Sequence, residues 1–208
     1  MGLHDFTLFA LASLILNITP GADMLYIISR STAQGAKAGM VSAFGITTGC
    51  LVHITAAVFG LSIIIMKSAL AFNIIKYTGA AYLIFLGIKS VISNSSSEIG
   101  IKQTRDSYLK IFTQGAFINI LNPKVAIFFL AFLPQFIVAS SDHIAIQILL
   151  LGLWFNFSGL IVNLMVAFLF GKWGNYMTKF PGFRVLQRKI TGSVLICLGC
   201  RIAFMKKS

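Results

Sequence analysis

Apolar stretches of about 20 residues recur along this 208-residue chain, and short polar connections separate them. A stretch of that length crosses the hydrocarbon core of a bilayer as one helix. The composition agrees, because 57% of the residues are hydrophobic and only 11% are charged, which leaves too little polar surface for a soluble domain. We therefore predict an all-α, polytopic membrane protein whose solvent is the lipid bilayer.

Six spans are predicted, and together they form a single transmembrane domain over residues 1–208. The N-terminus has no basic segment and carries Asp5 before its apolar run, so we interpret it as the first span and not as a signal peptide. The polar connection 93–109 divides the chain into two halves of three spans, residues 1–92 and 110–208. The six spans cover residues 6–30, 40–66, 69–91, 110–137, 144–171 and 186–205.

The charge in the connections predicts the orientation of the chain. Eleven of the 17 Lys and Arg residues lie in the connections after spans 1, 3 and 5, and five lie on the other side. Connections rich in Lys and Arg stay in the cytoplasm, so both termini are predicted outside. The net charge of +12 lies in these short connections, and it therefore indicates topology and not nucleic-acid binding.

Two proline interruptions, 103 residues apart, fall near the middle of the first and fourth predicted spans. Proline removes a helical hydrogen bond, whereas Thr and Asn are good N-caps and proline suits the first helical position. Each interruption is therefore predicted to end one half-helix and to begin a capped second one, with a simple proline kink as the alternative. A half-helix that begins inside the bilayer offers free N–H groups to an anion. The two segments read Asn17-Ile18-Thr19-Pro20-Gly21-Ala22-Asp23 and Asn119-Ile120-Leu121-Asn122-Pro123-Lys124.

Asp23 and Lys124 are the charged residues that lie deepest in apolar sequence, beside the two interruptions. A charge inside a bilayer costs at least about 2.5–3.5 kcal/mol, so such residues usually face a water-filled path or each other. One interpretation places a substrate ammonium group or a coupling proton at Asp23 and a substrate carboxylate at Lys124. The other is an ion pair between Asp23 and Lys124 that holds the halves together. The candidate substrate-binding residues are Asn17, Thr19, Pro20, Gly21, Asp23, Asn119, Asn122, Pro123 and Lys124.

Spans 2 and 5 carry further polar side chains. His53, Asn156 and Asn163 are candidates for lining a transport path, and His53 for relaying protons. A hydrogen bond between helices is the alternative role of His53. Asn17 and Asn119 precede the interruptions, where satisfying freed backbone groups is their simplest role. Glycines at helical spacing on both spans are predicted to allow close helix contact.

The third and sixth spans repeat each other, which indicates an internal duplication. Each half contains three spans, so the second copy enters the membrane from the opposite face, and the chain is predicted to be an inverted repeat. Spans 1 and 4, which carry Pro20 and Pro123, would be the broken helices of the two copies. The matching segments are Lys76-Tyr77-Thr78-Gly79 with Lys189-Ile190-Thr191-Gly192, and Leu86-Gly87-Ile88-Lys89 with Leu198-Gly199-Cys200-Arg201.

Little in the sequence points to an enzyme. No metal-ligand spacing, paired catalytic carboxylates or nucleotide-binding glycine loop is found, so no metal, cofactor or enzymatic activity is expected. Cys50, Cys197 and Cys200 all lie in apolar stretches and are interpreted as small core residues. The C-x-x-C spacing of Cys197 and Cys200 is a weak signal alone.

The residues around the interruptions resemble the LysE-type amino-acid exporters, including their homoserine/threonine resistance branch. The resemblance covers nearly the whole chain, and one departure is visible, since many relatives have Pro-Gly-Pro where this chain has Pro20, Gly21 and Ala22. It implies an exporter of amino acids or related metabolites in the bacterial cytoplasmic membrane, driven by the proton-motive force. The motifs are Thr19-Pro20-Gly21-Ala22-Asp23-Met24-Leu25-Tyr26, Gly35 with Gly39, Gly45-Ile46 with Gly49, Val52-His53, Gly115-Ala116-Phe117 with Asn119 and Leu121-Asn122-Pro123-Lys124, and Phe132-Leu133-Pro134-Gln135-Phe136.

We therefore expect a secondary exporter that binds a small amino-acid-like substrate between the two interruptions and works by proton antiport. Two alternatives remain from the sequence. One is a membrane-embedded thiol–disulfide electron carrier, which would need redox cysteines facing one cavity. The other is a membrane subunit without a transport cycle. The glycine faces also leave open a homodimer.

Overall fold

The computed structural model describes residues 3–61, 63, 69–92, 105–138, 141, 143–177 and 182–204. Most of the predicted connection 93–109, the end of predicted span 2 and the basic residues Lys67, Lys102, Lys179, Lys206 and Lys207 lie outside this part of the chain. Every regular element within it is helical, as predicted. The helices are α1 (Leu3–Ile18), α2 (Ala22–Gln34), α3 (Ala36–Ala56, with a π-helical end Ala57–Leu61), α4 (Ala69–Ile92), α5 (Tyr108–Ile120), α6 (Pro123–Ile127, continued by the π-helix Phe128–Phe132 and the 3-10 helix Leu133–Phe136), α7 (Ile144–Met177) and α8 (Phe183–Phe204).

Three described helices are long and apolar enough to cross a membrane, namely those that cover Ala36–Leu61, Asn73–Ile92 and Ile144–Gly174. The pairs α1–α2 and α5–α6 each meet the same criterion when the pair counts as one bent span, which gives up to five spans. Helix α8 is not among them, because its 22 residues include four basic ones. The predicted sixth span therefore corresponds to a helix in the described chain, and its crossing of the membrane stays a prediction.

Pairwise contacts define how the helices run relative to one another. Helix α7 runs parallel to α1 and α2, because Phe6 contacts Trp154 and Thr32 lies against Gly174. Helix α3 runs parallel to α5, as Gly45 lies against Phe112 and His53 against Asn119. We call the end of the bundle where α1 begins the α1 end, and the opposite end, where α2 passes into α3, the α2–α3 end.

Glycines bring the backbones of α3 and α5 into direct contact. A methyl group on Gly45 would overlap the carbonyl oxygen of Phe112, and one on Gly115 would lie 2.8 Å from the carbonyl oxygen of Ser42. A methyl group on Gly152 of α7 would lie 3.0 Å from Ile54 of α3. The predicted packing role is confirmed for Gly45, where an added methyl group would overlap backbone, and for Gly152, where it would crowd the Ile54 side chain. Gly115 makes a similar close contact that the sequence did not predict. Gly60 differs, since no described atom lies within 4 Å of its Cβ position.

Helices α4 and α8 pack against each other antiparallel through a second set of glycines. A Cβ atom on Gly192 would meet the carbonyl oxygen of Gly87, and one on Gly199 would lie 2.7 Å from the carbonyl oxygen of Ala80. Gly87 and Gly199 hold matching positions in the repeated sequence, as do Gly79 and Gly192. Gly199 meets Ala80 and not Gly79, which lies against Ala131 of α6, so the two contacts correspond only approximately to the predicted repeat.

The burial of two of the three cysteines differs from what the sequence predicted. Cys50 is buried as expected, but Cys197 and Cys200 are exposed on α8, and all three thiols are free. The interpretation of Cys197 and Cys200 as core residues is therefore wrong. An apolar stretch in a membrane protein can face lipid as well as core, and this explains the error.

Candidate functional site

The first interruption separates α1 from α2, and the two helix axes differ by 48°. The Thr19 hydroxyl donates to the carbonyl oxygen of Ile15 at 2.6 Å, so Thr19 closes the last turn of α1. Gly21 is the N-cap of α2, and no side chain caps its free N–H groups. The prediction that Thr19 caps the following half-helix is therefore wrong, because its hydroxyl finds a carbonyl four residues earlier.

The second interruption separates α5 from α6, with a bend of 44°. Here the Asn122 side chain is the N-cap, and its Oδ1 accepts from the N–H of Lys124 at 3.0 Å. Pro123 occupies the first turn of α6, where its missing N–H costs nothing. The predicted capping roles of Asn122 and Pro123 are confirmed.

A polar pocket lies where the two interruptions meet, bounded by the end of α1 and by α2, α3, α5, α6 and α7. Its free space is about 440 Å³, a volume that includes open solvent at its mouth. Apolar side chains such as Met24, Ile46 and Phe155 complete the wall. The polar residues that line it are Asn17, Thr19, Asp23, Thr47, Asn119, Lys124, Asn156 and Asn163. Seven of the sequence candidates are thus brought together, whereas Pro20, Gly21, His53, Asn122 and Pro123 lie beside the pocket.

Asp23 lies in the first turn of α2, with its carboxylate partly buried. Its Oδ2 accepts from Nδ2 of the buried Asn119 at 2.9 Å. Its Oδ1 is buried and has no hydrogen-bond partner among the described residues. A buried carboxylate oxygen without a donor is costly, so this oxygen is ready to accept from a group that enters the pocket.

Lys124 reaches across from the second half of the chain to the end of α1. Its Nζ donates to the carbonyl oxygen of Thr19 at 2.9 Å and to that of Leu16 at 3.1 Å. No ion pair joins Asp23 and Lys124 in the part of the chain that the structure describes. The ion pair that the sequence left as the alternative for these two charges is therefore absent from this conformation, although both residues line the same pocket.

The two carbonyls that lose their α-helical donor to proline each accept a backbone bond within their own turn, from Thr19 or Asn122, and each also contacts a side chain from the other half of the chain. In a continuous helix the carbonyl of residue i−4 bonds to the N–H of residue i, so Pro20 removes a donor from Leu16 and Pro123 removes one from Asn119. Lys124 of the second half donates to Leu16, and Nε2 of His53 in the first half lies 2.9 Å from the carbonyl oxygen of Asn119. His53 thus makes the interhelical hydrogen bond that the sequence left as its alternative role.

Asn17 joins α1 to α7 beside the pocket. Its Nδ2 donates to the carbonyl oxygen of Phe155 and to Oγ of Ser158, each at 3.1 Å. Its side chain therefore does not satisfy the backbone freed at Pro20, and neither does that of Asn119, which donates to Asp23. Asn156 and Asn163 lie two turns apart on α7 and carry their amides along one wall of the pocket.

Helix α8 also reaches the first interruption. The Thr191 hydroxyl donates to the carbonyl oxygen of Pro20 at 2.7 Å. In the sequence, Thr191 was noted only as part of the repeated segment, and its contact with Pro20 was not predicted. Gly21 lies next to the Lys124 side chain, with its Cβ position 3.3 Å from Nζ, so the close approach of Lys124 suits a residue without a side chain.

Stacked phenylalanines close the pocket towards the α1 end. Phe155, which lines the pocket, stacks on Phe128 with ring centroids 4.4 Å apart, and Phe128 stacks on Phe132 at 5.1 Å. Phe9 of α1 packs edge-on against Phe136 at 5.3 Å. These buried rings form a continuous apolar layer on that side of the pocket, which we call the aromatic cluster.

A charged network lies beyond the pocket at the α2–α3 end. Arg30 is only 3% exposed, and it pairs with Asp106 at 2.7 Å and donates to Oε1 of Gln114 at 2.8 Å. The Tyr26 hydroxyl donates to the same Gln114 oxygen at 3.1 Å, and Lys110 also pairs with Asp106. We call these residues the Arg30 network. Sequence reasoning missed it, although an arginine at the end of a predicted span was a visible signal.

Asp106 lies outside the helical spans, and its charge is stabilised there. The hydrogen bond from Lys110, together with the Arg30 guanidinium, holds the pKa of the Asp106 carboxyl below its usual range. A carboxyl whose pKa falls on folding stabilises the fold above its unfolded pKa. That contribution is lost as the pH drops through the lowered value, so the Arg30 network is intact at neutral pH.

Comparison with known proteins gives one consistent family. The family model described as LysE type translocator matches residues 14–206. An uncharacterized membrane protein of Bacillus subtilis (strain 168), YrhP, is 32% identical, with 96% of this chain and 98% of the relative covered. Homoserine/homoserine lactone efflux proteins are 33% identical in Salmonella typhimurium (69% of each chain) and 30% identical in Salmonella typhi (94% of each). No solved structure matches the chain.

The family match and the fold agree with each other. The match covers both interruptions and the whole pocket, and the described chain is built from apolar helices as a membrane transporter requires. The resemblance seen in the sequence is thereby confirmed, and the chain belongs to the LysE-type translocators, a family of membrane transporters.

Proposed function

We propose that this protein is a secondary exporter of amino acids or related small metabolites in the bacterial cytoplasmic membrane, driven by proton antiport. The observation that carries the proposal is the polar pocket at the meeting point of the two interrupted helix pairs. It holds one carboxylate, one ammonium group and four amides between otherwise apolar helices. Charges in such a position are costly unless they serve a solute or ion path.

The substrate binds with its ammonium group at Asp23 and its carboxylate at the start of α2. The free Oδ1 of Asp23 supplies the acceptor. The start of α2 offers uncapped N–H groups and the positive end of a helix dipole. The sequence left Lys124 as the other candidate for the carboxylate, but its ammonium is already bound to two carbonyl groups. Asn156 and Asn163 remain free to contact the rest of the substrate.

The architecture proposed is six spans arranged as a 3+3 inverted repeat, with both termini outside. The packing of Gly87 and Gly199, which hold matching positions, at the contact between α4 and α8 supports the repeat, and so do the hydrogen bonds that Lys124 and His53 make to the opposite halves. Parallel packing of α3 on α5 mirrors that of α7 on α1 and α2. Tilting of the two halves would expose the pocket to each side of the membrane in turn. A homodimer would leave each pocket within one chain.

The described conformation corresponds to a site open towards the cytoplasm. The aromatic cluster closes the α1 end, whereas the pocket residues nearest the α2–α3 end, including Thr47 and Asn163, are only partly buried. Among the described residues of the positive connections, Lys37, Lys110 and Lys172 lie at the α2–α3 end, which the charge rule assigns to the cytoplasm. An exporter loads its substrate from that side. Asp23 is the proposed carrier of the coupling proton.

Vesicles that contain the purified protein provide the direct test. They are preloaded with labelled basic, branched-chain, threonine-like or sulfur-containing amino acids, and a proton gradient is imposed. We expect loss of one class of amino acid at a rate well above that of protein-free vesicles, because the pocket suits a zwitterion. A protonophore should stop this loss. Equal retention of every amino acid would refute export and favour a subunit without a transport cycle.

The thiol–disulfide alternative has less support from the site. Cys50 lines the pocket, but Cys197 and Cys200 lie on an exposed face of α8. A variant with Cys50, Cys197 and Cys200 all changed to Ala should therefore keep the efflux rate, since removing one buried sulfur costs only about 1 kcal/mol of stability. Efflux from the same vesicles measures this. Loss of activity in a folded triple variant would instead support redox chemistry.

A further inference from the structure

The end of α1 carries two backbone oxygens, those of Leu16 and Thr19, that receive no hydrogen bond from the N–H four residues later, although Leu16 keeps a 3.2 Å bond from the N–H of Thr19. Leu16 loses the N–H that residue 20 would have supplied, because proline has none. Thr19 lies in the interruption, where α2 has not yet begun. These carbonyls also form the negative end of the α1 helix dipole, which favours a cation.

A cation is in fact bound there, and it is the ammonium group of Lys124. Nζ lies 2.9 Å from the Thr19 oxygen and 3.1 Å from the Leu16 oxygen, so two of its three N–H donors are used. The lysine comes from the far half of the chain, 108 residues from Leu16. Its stem passes Gly21, where a side chain would crowd Nζ.

We propose that the carbonyl oxygens of Leu16 and Thr19 form a binding site for a primary ammonium ion, and that Lys124 is its tethered occupant. The site is distinct from the substrate contacts proposed above, which use Asp23 and the start of α2. The inference does not depend on export. Its consequence for the pocket is that Lys124 supplies charge balance to α1 and joins the two halves.

Replacing the lysine by shorter residues should convert the tethered site into a site for free ions. Lys124→Ala removes a three-carbon stem and the ammonium, and n-propylammonium restores all four atoms. In purified Lys124→Ala protein we expect n-propylammonium to raise the unfolding temperature by about 3 °C or more. Tetramethylammonium has the same charge but no N–H donor, and at equal ionic strength it should not reproduce this rise.

Lys124→Met provides a second test of the ammonium site, because methionine retains an apolar stem of nearly full length and lacks only the terminal ammonium. Ammonium ion should stabilise this variant more than tetramethylammonium does. Two matched proteins serve as controls, namely the wild type, whose site is already filled, and Lys89→Ala, which removes an exposed lysine of α4. Neither should respond selectively to n-propylammonium or ammonium.

The outcomes separate this inference from the proposed function. Equal responses of the Lys124 variants to ammonium-type and tetramethylammonium ions would overturn the ammonium site, whatever the vesicles export. A selective rise in the Lys124 variants alone supports the site even if no amino acid is transported. Where Lys124→Ala does not fold, the Lys124→Met protein decides the question by the same comparison.

Discussion

Replacing Asp23 by Asn should reduce amino-acid efflux to the background of protein-free vesicles while leaving the protein folded. Asn is isosteric, and its side-chain oxygen can still accept the hydrogen bond from Asn119. What disappears is the negative charge that would bind a substrate ammonium group or a coupling proton. A hydrogen bond to a charged group contributes about 1.5–3 kcal/mol, which corresponds to roughly 10- to 100-fold in rate. The initial rate of loss from preloaded vesicles measures the effect.

The control for Asp23→Asn is Asp5→Asn, which removes the same charge from the exposed start of α1. This variant should transport as the wild type does. Elution as a single folded species in detergent establishes that both variants are intact. Unchanged efflux by folded Asp23→Asn protein would remove Asp23 from the mechanism, and the assignment of the substrate ammonium with it.

Gly45→Leu should prevent most of the protein from reaching its folded state. Even the first carbon of a side chain at this position would overlap the carbonyl oxygen of Phe112 in α5. A backbone oxygen cannot rotate aside, so α3 and α5 would have to separate along their whole contact. We expect a loss of about 3 kcal/mol or more, at the upper end of what overpacking costs. Yield of monodisperse protein and its unfolding temperature report the loss.

Gly60→Leu is the matched control, since Gly60 lies on the same helix near its π-helical end. No described atom lies within 4 Å of its Cβ position, and the residue is exposed. Its replacement should therefore change stability by less than about 0.5 kcal/mol. If both variants folded equally well, the close contact of α3 with α5 would not be a determinant of the fold.

Much of the pocket was predictable because charge is expensive in an apolar chain. Asp23 and Lys124 were identified by their position in apolar sequence, and the regular spacing of Asn156 and Asn163 predicted that they share one face. The cap at Asn122 followed from local chemistry, since an Asn before a Pro can accept from the N–H two residues later. In each case the relevant physics acts within one helix.

The partners of these groups were harder to predict, because they come from distant parts of the chain. The Leu16 carbonyl was identifiable as a freed acceptor from Pro20 alone, but nothing local indicated that Lys124 would fill it. Arg30 likewise depends on Asp106, which lies in a connection whose course the sequence does not define. For Thr19 the wrong prediction was local. Its hydroxyl could cap the following half-helix or donate to a carbonyl of the preceding turn, and the structure has the bond to Ile15.

The Arg30 network has a consequence for how fast the protein can change state. Arg30 belongs to the first half, and Asp106 lies just before the first helix of the second, so any hinge motion that opens this interface must separate a guanidinium that is 3% exposed from its carboxylate. Breaking this contact would leave the buried Arg30 guanidinium without its carboxylate, and this slows exchange between the states. At intermediate tilts of the two halves, Arg30 and Asp106 would be separated and neither would have gained a new partner. In the proposed export cycle, the lifetime of the contact between Arg30 and Asp106 would therefore contribute to the turnover number, and the protein would switch between discrete states.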